Sequence, residues 1–229
     1  MPRTDPVLRA SALEKTYGDL VALAPLDLEV AEGEAVALVG HNGSGKSTLL
    51  RLASGLLDPS DGEVEVGGAP AGTSDARAAT SYVPDEPVLY EDLSVLEHLR
   101  YVAALHGVDL AAEDADELLD RLGLAERADD LPSRFSRGLR QRAGIAVALC
   151  RPFRVLLVDE PFVGLDAGGR AALLDLLDEA HDAGAALVVA THEPSYVERV
   201  DRCIALRDGA VVHDGPATIA DVPRLVGPS

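Results

Sequence analysis

The chain has 229 residues, 47% of them hydrophobic, and a formal net charge of −19. That length supports one substantial core with at most a smaller subdomain, and so negative a chain is a poor match for nucleic acid or anionic lipid. No uninterrupted apolar stretch approaches the roughly 20 residues that a bilayer-spanning helix needs. Met1–Pro6 lacks the apolar centre of a secretory signal, so a cytoplasmic chain is expected, with any membrane role running through a partner. Cys150 and Cys203 lie far apart in apolar segments and are expected as buried free thiols rather than a disulfide or metal site.

Taken in chain order, short apolar runs at Val7–Leu13, Leu26–Val30, Ala35–Val39 and Gly62–Val66 alternate with turns. Asp58-Pro59-Ser60-Asp61-Gly62 is a strong turn before the last run, and Thr80–Val83 reads as a further short strand. The pattern becomes helical from Ser94 to about Leu124, with Leu96, Leu99, Val102 and Ala103 on one face. Ser94 and Glu97 have the spacing of a capping box. A second helix is expected from about Glu113 to Leu122, stopped by Gly123, and a third from near Ser136 through Ile145 and Leu149. Arg154–Val158 then reads as a buried strand, Gly169–His181 as a helix and Ala185–Ala190 as another buried strand. Continuous apolar strands alternating with helices indicate an α/β fold with a parallel sheet covered on both faces. The helical block at 85–149 looks like an insertion into that core, which divides the single domain 1–229 into an α/β part, 1–84 and 150–229, and a helical part, 85–149. There is no internal repeat and no low-complexity linker.

Gly40-His41-Asn42-Gly43-Ser44-Gly45-Lys46-Ser47-Thr48 stands between the run Ala35–Val39 and the helix-like Leu49–Ala53. Strand, glycine-rich turn and helix start, in that order, make a P-loop. Its glycines allow successive N–H groups to point inward at an anion, and the helix dipole adds to that field. Lys46 is expected to reach the β- and γ-phosphates of a nucleoside triphosphate, and the Ser47 hydroxyl to ligate Mg²⁺. The only other lysine of the chain is Lys15.

Asp159 and Glu160 follow a buried strand, and ligands of parallel sheets collect at the strands' carboxyl ends. One carboxylate there can hold Mg²⁺, directly or through water, and the next can act as general base on a water. Thr191-His192 follows the strand Ala185–Ala190 in the same way, which lets the histidine meet a γ-phosphate or orient that water.

These residues together resemble the nucleotide-binding subunit of an ABC transporter, over nearly the whole chain and in the expected order. Gly40–Thr48 matches the Walker A motif and Arg154–Asp159, followed by Glu160, the Walker B motif. Phe135-Ser136-Arg137-Gly138-Leu139-Arg140-Gln141 stands where the family has its signature, Gly164-Leu165-Asp166 resembles the D-loop, His192 the switch histidine, and Tyr17 the aromatic that stacks on adenine. The resemblance implies a single ABC ATPase domain with a RecA-like P-loop NTPase core, an antiparallel N-terminal β part and an inserted helical subdomain. It implies two subunits, homo- or heterodimeric, sandwiching two ATP molecules. Ser136, Gly138 and Asp166 then meet a nucleotide held by the other subunit's P-loop. The implied activity is Mg²⁺-dependent ATP hydrolysis driving transport through separate integral membrane permease subunits, at the inner face of the cell membrane.

Two departures from the family pattern stand out. Arg137 and Leu139 replace a glycine and a glutamine of the signature, a form similar to that of export-type, ABC-2-like subunits. In Tyr82-Val83-Pro84-Asp85-Glu86-Pro87, which resembles the Q-loop, Asp85 occupies the glutamine position. Aspartate is one methylene shorter and fully charged, so it binds Mg²⁺ directly, binds it through water, or is an ordinary loop acid. The loop at 86–92 is expected to help receive a helix of the permease, with Leu89 and Tyr90 either as apolar contacts there or packed within the fold.

Overall fold

The structure, a computed structural model, describes residues 6–227; the Met1–Pro6 reading therefore falls mostly outside the described residues. The fold resolves into two units. One contains the described residues up to Tyr82, with Phe153–Glu160 and the described residues from Ala180 onward; the other contains Val83–Pro152 and Pro161–Glu179.

In the first unit, β1 (Pro6–Tyr17) and β2 (Leu20–Ala31) form an antiparallel hairpin in which Tyr17 faces Leu20. Both strands outrun the apolar runs of the sequence, because their outer ends pair through backbone while Tyr17, Leu20 and Val21 stay exposed. Towards its far end β2 buries Leu26, Leu28 and Val30 on alternate positions, the period of a sheet with one covered face. β4 (Asp61–Val66) pairs antiparallel with β1 and β5 (Ala69–Pro70) with β4, completing the antiparallel N-terminal sheet.

The second sheet has the order β10-β9-β3-β8-β7-β6. β3 (Ala35–Val39), β7 (Val155–Asp159) and β8 (Ala186–Ala190) are buried at every position, the signature of parallel strands covered on both faces. β3 runs parallel to β8 and to β9 (Arg202–Arg207), its last residue Val39 pairing with Ala205, and β7 runs parallel to β8. The edges are β6 (Thr80–Val83) and β10 (Ala210–Gly215). The core lies among these sheets and α1 (Lys46–Ala53), which contributes Leu49, Leu50, Leu52 and Ala53. α2 (Ser74–Ala79) leads into β6, and α7 (Val222–Val226) is fixed by Arg207, which donates to the Arg224 carbonyl at 3.0 Å.

The β9–β10 hairpin escaped the sequence reading. Asp208 and Gly209 form its two-residue turn at φ 50° and 79°, the paired left-handed geometry that Asp-Gly suits.

In the second unit, α3 (Val95–Leu105) has the capping box of Ser94 and Glu97. The helical pattern from Ser94 to about Leu124 is broken at Gly107, φ 69°, before α4 (Ala112–Arg121) begins. α5 (Arg137–Leu149) and most of α6 (Ala167–Asp182) complete the unit, and Arg121 of α4 pairs with Glu179 of α6 at 2.6 Å. Pro161–Glu179 thus belongs with the helical segment, although Phe153–Glu160, which separates the two in sequence, belongs to the first unit. Both cysteines are buried and free, and burial pushes each thiol up to about 11, which leaves them inert.

Candidate functional site

Sheet register gathers the site of the first unit. Leu38 of β3 and Asp159 of β7 both pair with Ala190 of β8, so β7 and β8 end on one rung and β3 one residue beyond it. The next residues, Gly40, Glu160 and Thr191-His192, leave the sheet at the same edge. Two backbone bonds hold that edge: Glu160 N donates to the Ala190 carbonyl at 2.9 Å and Thr191 N to the Leu38 carbonyl at 3.1 Å.

The loop at 40–45 is tight enough to require glycine. A Cβ on Gly40 would run into the Leu206 carbonyl and Ser44 Oγ, and Gly45, at φ 107°, would put one 2.9 Å from the Ala22 carbonyl. Gly45 is the N-cap of α1 and provides no side-chain cap, so the first N–H groups of α1 remain available to an outside acceptor. Lys46, 6% exposed, curls back to donate to the Gly40 carbonyl at 2.8 Å and the His41 carbonyl at 3.4 Å. Burial pushes its ammonium pKa down, and the charges of Glu160 and Asp159 push back. Ser44 is buried with no hydrogen-bond partner for Oγ, while Ser47 and Thr48 are half-buried in the first turn of α1. Asn42 and Gly43 are exposed, and His41 Nε2 lies 3.4 Å from Asp208.

Asp159 is 1% exposed at the end of β7. Glu160 sits at φ 48°, a left-handed conformation that costs a non-glycine residue energy and here aims its carboxylate back at the loop. Its Oε1 lies 3.6 Å from Lys46 Nζ and 3.0 Å from His192 Nε2, and its Oε2 accepts the His192 N–H at 3.1 Å. His192 Nε2 is also 2.9 Å from Asn42 Oδ1. An amide oxygen only accepts, so Nε2 carries the proton. Burial raises the Glu160 pKa against the pull of Lys46, and burial followed by the Lys46 charge lowers that of His192, which keeps the imidazole neutral. The Asn42–His192 contact was not foreseen; nothing in the local sequence signals it.

Tyr17 is 53% exposed at the end of β1, with Lys15 Nζ 5.2 Å from its ring centre.

The remaining candidates lie in the second unit. Ser136 caps α5, accepting the Leu139 N–H at 3.3 Å. A Cβ on Gly138 would collide with the Gly164 carbonyl, so the signature and the Gly164-Leu165-Asp166 turn fit together only through glycine. Asp166 accepts from Gly169 N at 2.8 Å and pairs with Arg142 at 2.6 Å; these bonds, Gly169 first, hold its carboxyl below the usual range. Asp85 is engaged by Arg137 at 3.3 Å. Of the two readings of Leu89, the structure has the packed one, at 8% exposed, whereas Tyr90 at 56% and the unremarked Val88 at 94% face outward.

A family model described as ABC transporter matches residues 23–163. The chain belongs to the ABC transporter family. It is 38% identical to a macrolide export ATP-binding/permease protein, MacB 1, of Aeromonas hydrophila, over 92% of this chain and 34% of that protein. It is also 38% identical to the lipoprotein-releasing system ATP-binding protein LolD of Shewanella oneidensis, over 90% of this chain and 95% of the relative. The chain therefore spans about a third of the MacB relative and nearly all of LolD. Among solved structures, the dimeric ATP-binding cassette MJ0796 in a post-hydrolysis state with ADP and phosphate superposes with a TM-score of 0.80. That match has 28% identity and covers 91% of this chain and 98% of that one. As a member of the family the chain is an ATP-binding cassette, with the α/β core and antiparallel N-terminal sheet that its sequence implied.

Proposed function

We propose that this chain is the ATP-hydrolysing subunit of a transporter, export in direction, that works as a pair of cassettes at the inner face of the membrane through separate permease subunits. The observation that carries the reading is the start of α1: an uncapped helix N-terminus, a curled glycine loop and a buried lysine within 3.6 Å of a strained glutamate. A buried cation and a half-buried acid held this way make sense as a cradle for phosphate.

Lys46 exchanges the Gly40 and His41 carbonyls for β- and γ-phosphate oxygens, while the N–H groups from His41 to Thr48 close around the same chain. The Ser47 hydroxyl and Asp159 carboxylate are hard oxygen donors of the kind Mg²⁺ takes, alongside phosphates and water rather than in an all-protein cage. Bound there, Mg²⁺ neutralises charge on the phosphates as the terminal bond breaks. Glu160 takes the proton of the attacking water; its raised pKa brings it closer to neutrality and makes it the better base. The backbone N–H of His192 fixes the Glu160 carboxylate, and its neutral imidazole, protonated on Nε2, offers that N–H to the γ-phosphate. The exposed Tyr17 ring stacks on adenine.

Ser136, Gly138 and Asp166 serve the nucleotide of the second cassette. The dimeric MJ0796 cassette with ADP and phosphate supports that arrangement. Export is supported by the names of the MacB and LolD relatives, and separate permeases by the near-complete coverage of LolD. Among the described residues no helix is long and apolar enough to cross a membrane. Val88 and Tyr90 are the apolar side chains offered to the permease.

Calorimetry with Mg·ATP and a phosphate-release assay on the full chain test the reading. Wild type binds and hydrolyses. Lys46→Ala loses binding by about a hundredfold or more, the scale expected when a buried, charge-assisted phosphate contact is removed. Equal binding by the two proteins would remove the loop from its role.

A further inference from the structure

Arg137, Arg140 and Gly144 follow one another at three and four residues along α5, so they share one helix face. The segment at 85–91 lies along that face. Asp85 pairs with Arg137 at 3.3 Å and Glu91 with Arg140 at 2.8 Å, and a Cβ on Gly144 would come within 2.5 Å of the Pro87 ring. The other end of the segment is tied to α3. Tyr90 N–H donates to His98 Nε2 at 2.8 Å, His98 Nδ1 is 2.7 Å from the Ser94 carbonyl, and the Tyr90 ring meets Tyr101 edge-on. Val88 projects from the middle of this strap, almost wholly exposed.

The two departures from the family pattern are thus partners. Aspartate at the Q-loop position and arginine in the signature face each other across 52 residues of sequence, and each explains the other: an arginine one residue into α5 is unfavourable beside the positive end of the helix unless an acid answers it. We propose that Asp85 and Arg137 are positioning residues. Their ion pair links the permease-facing strap to the nucleotide-facing first turn of α5, and Asp85 serves this link rather than the metal. The inference rests on the proposed ATPase reading. Because both groups are partly exposed, the pair biases the geometry of the turn modestly and breaks reversibly.

The test compares the full-length wild type with Asp85→Asn, Arg137→Gln, the double variant and the charge-swapped pair Asp85→Arg with Arg137→Asp. Each single change lowers kcat by about three- to fivefold, the most an exposed pair supplies, with KM for ATP and the Mg²⁺ midpoint unchanged. The double variant is no slower than the singles, and the swap restores most of the rate. In the same proteins, amide hydrogen exchange of the segment at 85–91 quickens in the singles and returns in the swap. Losses that add in the double variant overturn the link, as does unchanged exchange, which is read without any turnover. A shift of the Mg²⁺ midpoint in Asp85→Asn alone also overturns it and makes Asp85 a metal ligand. Singles that keep full rate while Lys46→Ala is dead defeat the link and leave the ATPase standing, whereas hydrolysis surviving in Lys46→Ala defeats the ATPase reading itself.

Discussion

Helices α1 and α5 both have a glycine at or beside their start, Gly45 and Gly138, yet their first turns are finished in opposite ways. The start of α1 has no side-chain cap, a buried lysine, and a half-buried glutamate and an exposed histidine around it. The start of α5 is capped by Ser136, lies at the surface, and has an exposed arginine answered by an exposed aspartate. A helix end that keeps its N–H groups open inside its own fold is ready for a ligand with no help from elsewhere. One already satisfied by its own serine loses little by waiting in water and suits a ligand brought by another molecule. The difference separates a binding half from a presenting half, and substitutions in the two halves should fail differently.

The largest effect is expected in the binding half. Glu160→Gln removes the proposed base and leaves the loop at 40–45 intact. Turnover should fall by about two to four orders of magnitude while Mg·ATP affinity persists, and the ATP-bound dimer should accumulate in size-exclusion chromatography. Turnover within a few-fold of wild type would deprive Glu160 of its role.

Next comes the presenting half. Gly138→Ala drives a methyl into the Gly164 carbonyl and displaces the first turn of α5. Displacements near 1 Å at a reacting centre cost about a hundredfold, so phosphate release should drop by ten- to a hundredfold. Calorimetric affinity for ATP should stay at the wild-type value, because the loop that grips the nucleotide is untouched. Loss of both together would erase the distinction between the halves.

A smaller effect is a matter of pH. Burial raises the Glu160 pKa above its ordinary 4.5, so the folded chain disfavours the ionised form and gives up stability at neutral pH. That deficit is absent below the unfolded pKa, where the group is protonated in both states, and grows as pH rises through the folded value. Glu160→Gln without nucleotide should therefore have the higher Tm at pH 7, with the gain closing as pH approaches 4.5. A gain that is the same at both pH values would place its origin outside the titration of Glu160.

What the sequence disclosed of this site follows the same division. The phosphate loop was legible because its chemistry is local: glycines, lysine and serine act within nine consecutive residues between a strand and a helix. β3, β7 and β8 were legible as unbroken apolar runs, since strands covered on both faces need them. β9 was missed because arginines at both its ends dilute the run, although Asp208-Gly209 marked the turn beyond it. The membership of Pro161–Glu179 in the helical unit and the pairing of Asp85 with Arg137 are tertiary facts with no local trace. Val88 and Leu89 are equally apolar neighbours, and only packing decides that one is exposed and the other buried.

The smallest effect sharpens the contrast from inside the first unit. Ala12 and Glu160 are both non-glycine residues in the left-handed region, at φ 47° and 48°. Strain at Glu160 aims a carboxylate at Lys46. Strain at Ala12 serves only the bulge of β1 between Ala10 and Leu13, where Ala12 N donates to Asp27 at 2.8 Å. The Ala12 side chain is exposed, so removing it forfeits no buried surface. Ala12→Gly relieves a conformation that costs an L-residue about 1 kcal/mol and loses part of that to the freer unfolded chain. Denaturant unfolding should show a gain of about 0.5 kcal/mol with kcat unchanged. Glycine at 160 relieves the same strain and abolishes turnover. If glycine at position 12 instead slows hydrolysis, the bulge of β1 belongs to the site and the boundary of the binding half must be drawn wider.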